Sequence, residues 1–271
     1  MIKTSCTLII GITSGIGSAL AVHLNSMGSN VVGTARTQEA SSNLPNLSYP
    51  LDLTSYESID HFINLFSTNH QWNNIIFCPA VMSPIGRFDS VVFHEWLNTF
   101  NINFSNQAYL LHSILPFCSG PGSHVLFFAG GGTNSAPTHY SAYTLSKITL
   151  IKFVELLNEE IESTAFSILG PGWVKTKIHS QSLEPSLCHL SSYQETQRRL
   201  NESDFIDMDQ VISSIIWILS QDKNIVGGRN FSTAHDPFDS DDFLEKLSSD
   251  SNVFKLRRHG NQLFNQTHID S

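Results

Sequence analysis

Thr7-Leu-Ile-Ile-Gly-Ile-Thr-Ser-Gly-Ile-Gly17 decides the architecture of this chain. The apolar run Thr7 to Ile10 has the length and composition of a buried parallel strand. Glycines follow at once, at 11, 15 and 17. Ala19, Leu20, Val22, Leu24 and Met27 then repeat at helical spacing and stop before Gly28, a residue suited to ending a helix. In a strand–glycine–helix unit the backbone turns tightly and can seat a pyrophosphate over the free N–H groups of the helix N-terminus. The spacing is G-x-x-x-G-x-G, not the commoner G-x-G-x-x-G. A turn needed only for strand–helix packing has similar residues, and the position directly after the first strand favours nucleotide binding.

Outward from this turn, strand and helix signals alternate. Asn30 to Thr34, Leu47 to Leu51, Asn74 to Cys78, His124 to Phe128 and Ala165 to Leu169 read as strands, with a short last one at Asn230 to Thr233. Helical spacing is carried by Ile59, Phe62, Ile63 and Phe66. A long helical stretch covers Val91 to Leu115 and stops at Pro116. Another holds Tyr143 and runs to about Glu162, and a further one spans Asp209 to Ser220. Residues 175–207 are polar and read as irregular. This order predicts an α/β fold, a single doubly wound parallel sheet flanked by helices with right-handed crossovers and no dividing linker.

Composition narrows the function classes. The 271 residues are 41% hydrophobic and 14% charged, which fits one compact domain with a sizeable core. A net charge of −9 argues against a nucleic-acid or anionic-membrane surface. Part of that acidity is a cluster at Asp236, Asp239, Asp241, Asp242 and Glu245, which reads as a solvated loop. Cys6, Cys78, Cys118 and Cys188 lie far apart and lack disulfide or zinc spacing, and the twelve histidines are scattered, so no metal site is expected. With no signal-peptide layout and no spanning apolar run, the expected location is cytoplasmic.

Tyr143-Thr-Leu-Ser-Lys147 carries the chemistry. On a helix the two residues share a face. An ammonium beside a phenol is expected to lower the tyrosine pKa and make it a usable acid or base near neutral pH. Alone the pair is weak evidence, since many helices carry one by chance.

Gly11, Gly15, Gly17, Asn103, Tyr143, Lys147, Pro171 and Gly172 occur in an order and at separations that resemble the short-chain dehydrogenase/reductase family, over about residues 5–235. The resemblance implies a Rossmann-type single domain with a seven-stranded parallel sheet and NAD(P) across the strand carboxyl ends. The domain covers residues 1–240, and 241–271 form a C-terminal extension. It implies Tyr143, Lys147 and Asn103 as the catalytic group: proton transfer, ribose binding with pKa tuning, and a relay water. Implied cofactor contacts are Gly11, Thr13, Ser14, Gly15, Ile16, Gly17, Asp52, Leu53, Cys78, Ala80, Tyr143, Lys147, Pro171, Gly172, Val174 and Thr176. Family members form dimers or tetramers through helices that here span about 91–115 and 142–162, so a homodimer or homotetramer is expected.

The second strand ends Thr34-Ala35-Arg36, with no acid for a ribose 2′-OH and an arginine suited to a 2′-phosphate, so NADP(H) is preferred over NAD(H). Three departures stand out. Ile10 replaces a usual threonine. Cys78-Pro79-Ala80-Val81 replaces Asn-Asn-Ala-Gly, so Pro79 lacks a donor. The family's catalytic serine falls at Gly130. Losing one oxyanion donor costs about 3–4 kcal/mol, which slows a reaction without abolishing it. Thr133, Ser135, backbone N–H groups of Gly130 to Gly132, or the substrate itself are alternative donors. The function expected is carbonyl–alcohol interconversion on a small molecule; the alternative is a weak or inactive NADP-binding sensor or interaction module. Segment 175–207 takes the place of the family's substrate-covering segment, with His179, Leu183, Leu187, Tyr193 and Arg198 as candidate contacts; a polar surface helix pair is the equal alternative.

Overall fold

The computed structural model describes residues 4–37, 47–176, 183, 190–202 and 205–259. Seven strands form one sheet: β1 Thr4–Ile10, β2 Val31–Ala35, β3 Leu47–Pro50, β4 His70–Phe77, β5 Ser123–Phe128, β6 Thr164–Gly170 and β7 Asn230–Ser232. Their spatial order is β3-β2-β1-β4-β5-β6-β7, and every pairing is parallel. The chain reverses its direction of travel across the sheet between β1 and β4. That switch point opens a crevice at the strand carboxyl ends.

The helices are α1 Gly15–Ser26, α2 Tyr56–Asn69, α3 Phe93–Phe100, α4 Asn106–Ile114, α5 Ser141–Glu160, α6 Leu190–Glu202, α7 Met208–Ser220, α8 Lys223–Val226 and α9 Asp241–Ser249. Both faces of the sheet are covered, which is why Leu8 to Ile10, Ile75 to Phe77 and Val125 to Phe128 are apolar and buried without alternation. Ile59, Phe62, Leu110, Ile114, Leu150 and Val154 pack α2, α4 and α5 on one face. Leu20, Leu24, Val211, Ile215, Phe243 and Leu247 pack α1, α7 and α9 on the other. Among the described residues no helix is long and apolar enough to cross a membrane.

Three readings of the sequence need correction. The expected single helix from Val91 to Leu115 is broken by a π-helical turn over Asn101–Ser105. The inserted residue turns Asn103 inward, where its amide closes a two-way clamp on Val81: Val81 N–H donates to Oδ1 at 2.9 Å and Nδ2 donates to Val81 O at 2.8 Å. A buried polar bond of this kind stabilises a local bulge that apolar periodicity does not register. Second, the segment 175–207 contains α6, whose polar composition masks it. Third, Asp241, Asp242 and Glu245, expected in a solvated loop, lie on α9, whose Phe243 and Leu247 are buried.

The C-terminal extension is packed on the domain as far as it is described. Phe254 meets Phe231 and Phe243, and Asn230 N–H donates to Phe254 O at 2.9 Å beside β7. Arg229, 2% exposed, donates to the carbonyls of Leu247, Asp250 and Val253.

Candidate active site

The glycine turn is held from below by β2. Gly11 N–H donates to Thr34 Oγ1 at 3.0 Å, so Thr34 supplies a local bond beside Ile10. Gly11 has φ +77°, a left-handed conformation that glycine adopts without strain. A Cβ at Gly17 would lie 2.5 Å from Gly11 O and 2.8 Å from Ser14 Oγ. Ser14 caps α1 by accepting from Gly17 N–H at 2.9 Å. Gly15 faces Thr176 so closely that its own Cβ would meet Thr176 Cγ2 at 2.7 Å. The glycine turn and the Pro-Gly turn therefore touch across the crevice. The glycine-rich N-terminus of α1 faces the cavity beside Thr176, and this cradle fits a dinucleotide diphosphate.

One cavity of 1830 Å³ joins the expected parts. Gly11, Thr13, Ser14, Gly15 and Ile16 line one end, with Arg36, Asp52, Leu53, Cys78 and Ala80 beside them. Tyr143, Lys147, Pro171, Gly172, Val174 and Thr176 line it at the other end. Gly17 is buried beneath the turn and does not line it. Ala35 is buried and Arg36 exposed, so a cation and no carboxylate stands at the end of β2. Asp52 is turned locally: Oδ1 accepts from Thr54 N–H at 2.9 Å and Thr54 Oγ1 at 2.8 Å. Burial pushes the Cys78 thiol up to about 12, so it stays protonated. Among the described residues no cluster of metal-ligating side chains exists.

Tyr143 and Lys147 stand one turn apart on α5, as their spacing predicts. Their electrostatics differ from expectation. Desolvation pushes the Tyr143 phenol up to about 12, not down. Lys147 Nζ donates to Phe128 O at 2.8 Å and sits 5.8 Å from the phenol ring centre. Burial lowers the Lys147 ammonium to about 8. The ammonium is engaged by a strand-end carbonyl, and low polarity around the phenol dominates its pKa.

Asn103 is fully buried and does not line the cavity. Besides clamping Val81, its Nδ2 donates to Ser146 Oγ at 3.1 Å, and Ser146 Oγ donates to Tyr143 O at 2.7 Å. Its side chain thus braces the turn of α5 that presents Tyr143. Val81 keeps an ordinary negative φ.

At the serine position, Gly130 is filled from outside. A Cβ there would lie 2.7 Å from both Cε1 and Oη of Tyr143 and 2.8 Å from Cζ. Thr133 and Ser135 line the cavity near by.

The substrate-side candidates fare unevenly. His179 and Leu187 lie outside the described residues. Leu183, Tyr193 and Arg198 do not line the cavity, and Arg198 instead pairs with Glu202 along α6. Thr196 and Arg199, one helical turn apart, line it in their place. Arg199 stands 5.3 Å over the Trp173 ring, and Trp173 stacks with Phe205 at 5.9 Å. Phe254 to Arg257 also reach the lining. These contributions depend on how distant segments meet, and no local motif announces them.

A parallel doubly wound sheet with a glycine turn at its switch point defines a Rossmann-type dinucleotide-binding domain. The short chain dehydrogenase family model matches residues 5–186. The chain belongs to that family and is an oxidoreductase of it. It is similar to an uncharacterized oxidoreductase of Staphylococcus aureus, 23% identical over 231 residues spanning 80% of this chain and 92% of that protein. Two solved structures share the fold. One is a short chain dehydrogenase from Shigella flexneri complexed with NADP, at TM-score 0.71 and 15% identity, covering 86% of this chain and 98% of that one. The other is a 3-ketoacyl-(acyl-carrier-protein) reductase from Brucella melitensis complexed with NADH, at TM-score 0.69 and 13% identity, covering 85% and 96%. The fold implies binding of NAD(P).

Proposed function

We propose that this chain is an NADP(H)-dependent oxidoreductase that interconverts a carbonyl and an alcohol on a small molecule, with Tyr143 as the general acid/base. The observation that carries the reading is a single cavity shared by the α1 glycine turn, Arg36, Tyr143 and Lys147. The bound nicotinamide supplies or accepts the hydride. Tyr143 gives the proton to the carbonyl oxygen in reduction and takes it back in oxidation. Lys147 holds the ribose and sets the charge beside the phenol. Asn103 acts from behind, through Ser146 and the backbone of Tyr143.

Arg36 is the basis for NADP(H), because a guanidinium pairs with a 2′-phosphate and gains nothing from a 2′-OH. Arg36→Ala is expected to weaken NADPH binding about tenfold or more and leave NADH unchanged, measured by fluorescence titration. Equal losses for both cofactors sink the NADP(H) reading.

NADPH oxidation against a carbonyl panel, with Tyr143→Phe alongside, tests the activity. Turnover that survives Tyr143→Phe rules out the assigned acid. A second reading, an NADP-binding protein without significant turnover, is favoured by one observation: no side-chain hydroxyl stands at position 130. Binding of NADPH with no Tyr143-dependent turnover selects it. A cytoplasmic location and self-association through α3 and α5 complete the proposal.

A further inference from the structure

Gly130 is the position where the chain departs most from its family, and the space there is occupied. The Tyr143 ring stands against the Gly130 backbone so closely that Cε1, Cζ and Oη all fall within 2.8 Å of where a Cβ would be. Atoms of a real side chain do not tolerate such a separation. The phenol therefore crowds the volume that a serine side chain would need, with its hydroxyl 2.7 Å from the point where a serine Cβ would stand. Behind it, Ser146 holds the Tyr143 carbonyl and Asn103 holds Ser146, both buried. The backbone of Tyr143 is braced while its ring stands against Gly130.

We propose that Gly130 is a positioning residue: by lacking a side chain it admits the Tyr143 phenol into the serine site, where one hydroxyl both polarises the substrate carbonyl and protonates it. The proposal rests on the oxidoreductase reading above. In the reductive direction, hydride reaching the carbonyl carbon forms the new C–H bond. The carbonyl π pair moves to oxygen and takes the Tyr143 proton, which forms the O–H bond. The phenolate left behind recovers a proton from water. A phenol that burial keeps protonated suits this donor role across neutral pH.

The consequence opposes the simple view of a lost serine. If the slot were vacant, Gly130→Ser would restore a donor and raise the rate by a hundred- to a thousandfold, the usual effect of one oxyanion donor. If the phenol fills it, Gly130→Ser and Gly130→Ala both push the ring out. Both are then expected to lower kcat on the order of a hundredfold with KM for the carbonyl little changed. NADPH affinity and Tm serve as checks that the fold and the cradle persist. The pH profile adds a readout that a purely structural defect would not move: its Tyr143 limb shifts toward neutrality as the displaced phenol meets water.

A readout free of turnover uses the ligand-free protein with ¹³Cζ-labelled tyrosine. The Tyr143 signal, identified by its loss in Tyr143→Phe, is expected to move in both glycine variants while the other tyrosine signals stay. A faster Gly130→Ser enzyme overturns the proposal and leaves the proposed function standing. An unmoved Tyr143 signal overturns it through the packing. A wild-type protein that turns over no carbonyl overturns the proposed function, and the dual role falls with it.

Discussion

Lys147 is a cation whose burial works against its charge. Its ammonium is lowered to about 8 from an ordinary 10.5. Between those values the unfolded chain binds more protons than the folded one, so this residue makes the fold more stable as pH rises through that window and less stable below it. Lys147→Met is accordingly expected to raise Tm at neutral pH, a function-for-stability exchange readable by thermal melts. Cofactor phosphates and ribose favour the charged form. NADPH affinity is then expected to be flat below about pH 8 and to fall about tenfold per pH unit above it, and Lys147→Met should flatten that dependence. Calorimetric titration across the window checks both slopes. That Tyr143 and Lys147 share a helical face was legible from four-residue spacing, while their weight as a pair came from the glycine turn and Pro171-Gly172 on either side. The reversal of the phenol's shift was not legible, because it depends on strands and loops that enclose the ring, while the local partner is drawn away to Phe128 O.

Asn103 shows how a residue's role comes from the element that carries it. Its place in the order of motifs was readable, but its partners were not. A π turn between α3 and α4 breaks the apolar period and turns the amide onto Val81. Asn103→Leu leaves the half-buried backbone N–H and C=O of Val81 without their partners, at about 1 kcal/mol each. Chemical denaturation should show the loss, and kcat should fall more than NADPH affinity, since α5 loses its brace at Ser146. The parallel strands were legible because both faces of the sheet are covered and their apolar runs are continuous. By contrast α6, polar on most of its surface, hides among loops. Its contribution at Thr196 and Arg199 sits one residue away from the expected Arg198, and a one-residue step on a helix turns a side chain by about a quarter of the circumference.

Across the whole molecule, two surfaces set expectations. Val92, Phe93 and Leu97 near α3 and Leu145 and Leu156 on α5 are exposed on helices that pack together. Exposed apolar area of this kind is usually covered by a partner. A homodimer or homotetramer is expected by light scattering, and Phe93→Asp with Leu156→Arg should yield monomers that still bind NADPH. The other surface is the seat of the C-terminal extension. Arg229 is buried with three carbonyl acceptors, two of which, Asp250 and Val253, lie beyond α9. A chain ending at Ser249 leaves a buried guanidinium short of partners and the Phe231–Phe243 cluster uncovered. The expected cost is at least about 3 kcal/mol, seen as a fall of several degrees in Tm.

That clasp also has a meaning during synthesis. The last described stretch reaches back from Arg257 to Glu155, across 102 positions of chain. Residues up to Asp250 can leave the ribosome and form the sheet, yet the arginine at the head of β7 stays short of its Val253 acceptor until the next segment emerges. Translation cut short after α9 thus yields a product that carries the glycine turn, Tyr143 and Lys147 but lacks the Phe254 to Arg257 part of the cavity lining. Its aromatic cluster at Phe231 and Phe243 stays open to proteases, so the stretch from Asp250 to Arg257 separates a closed domain from an open one.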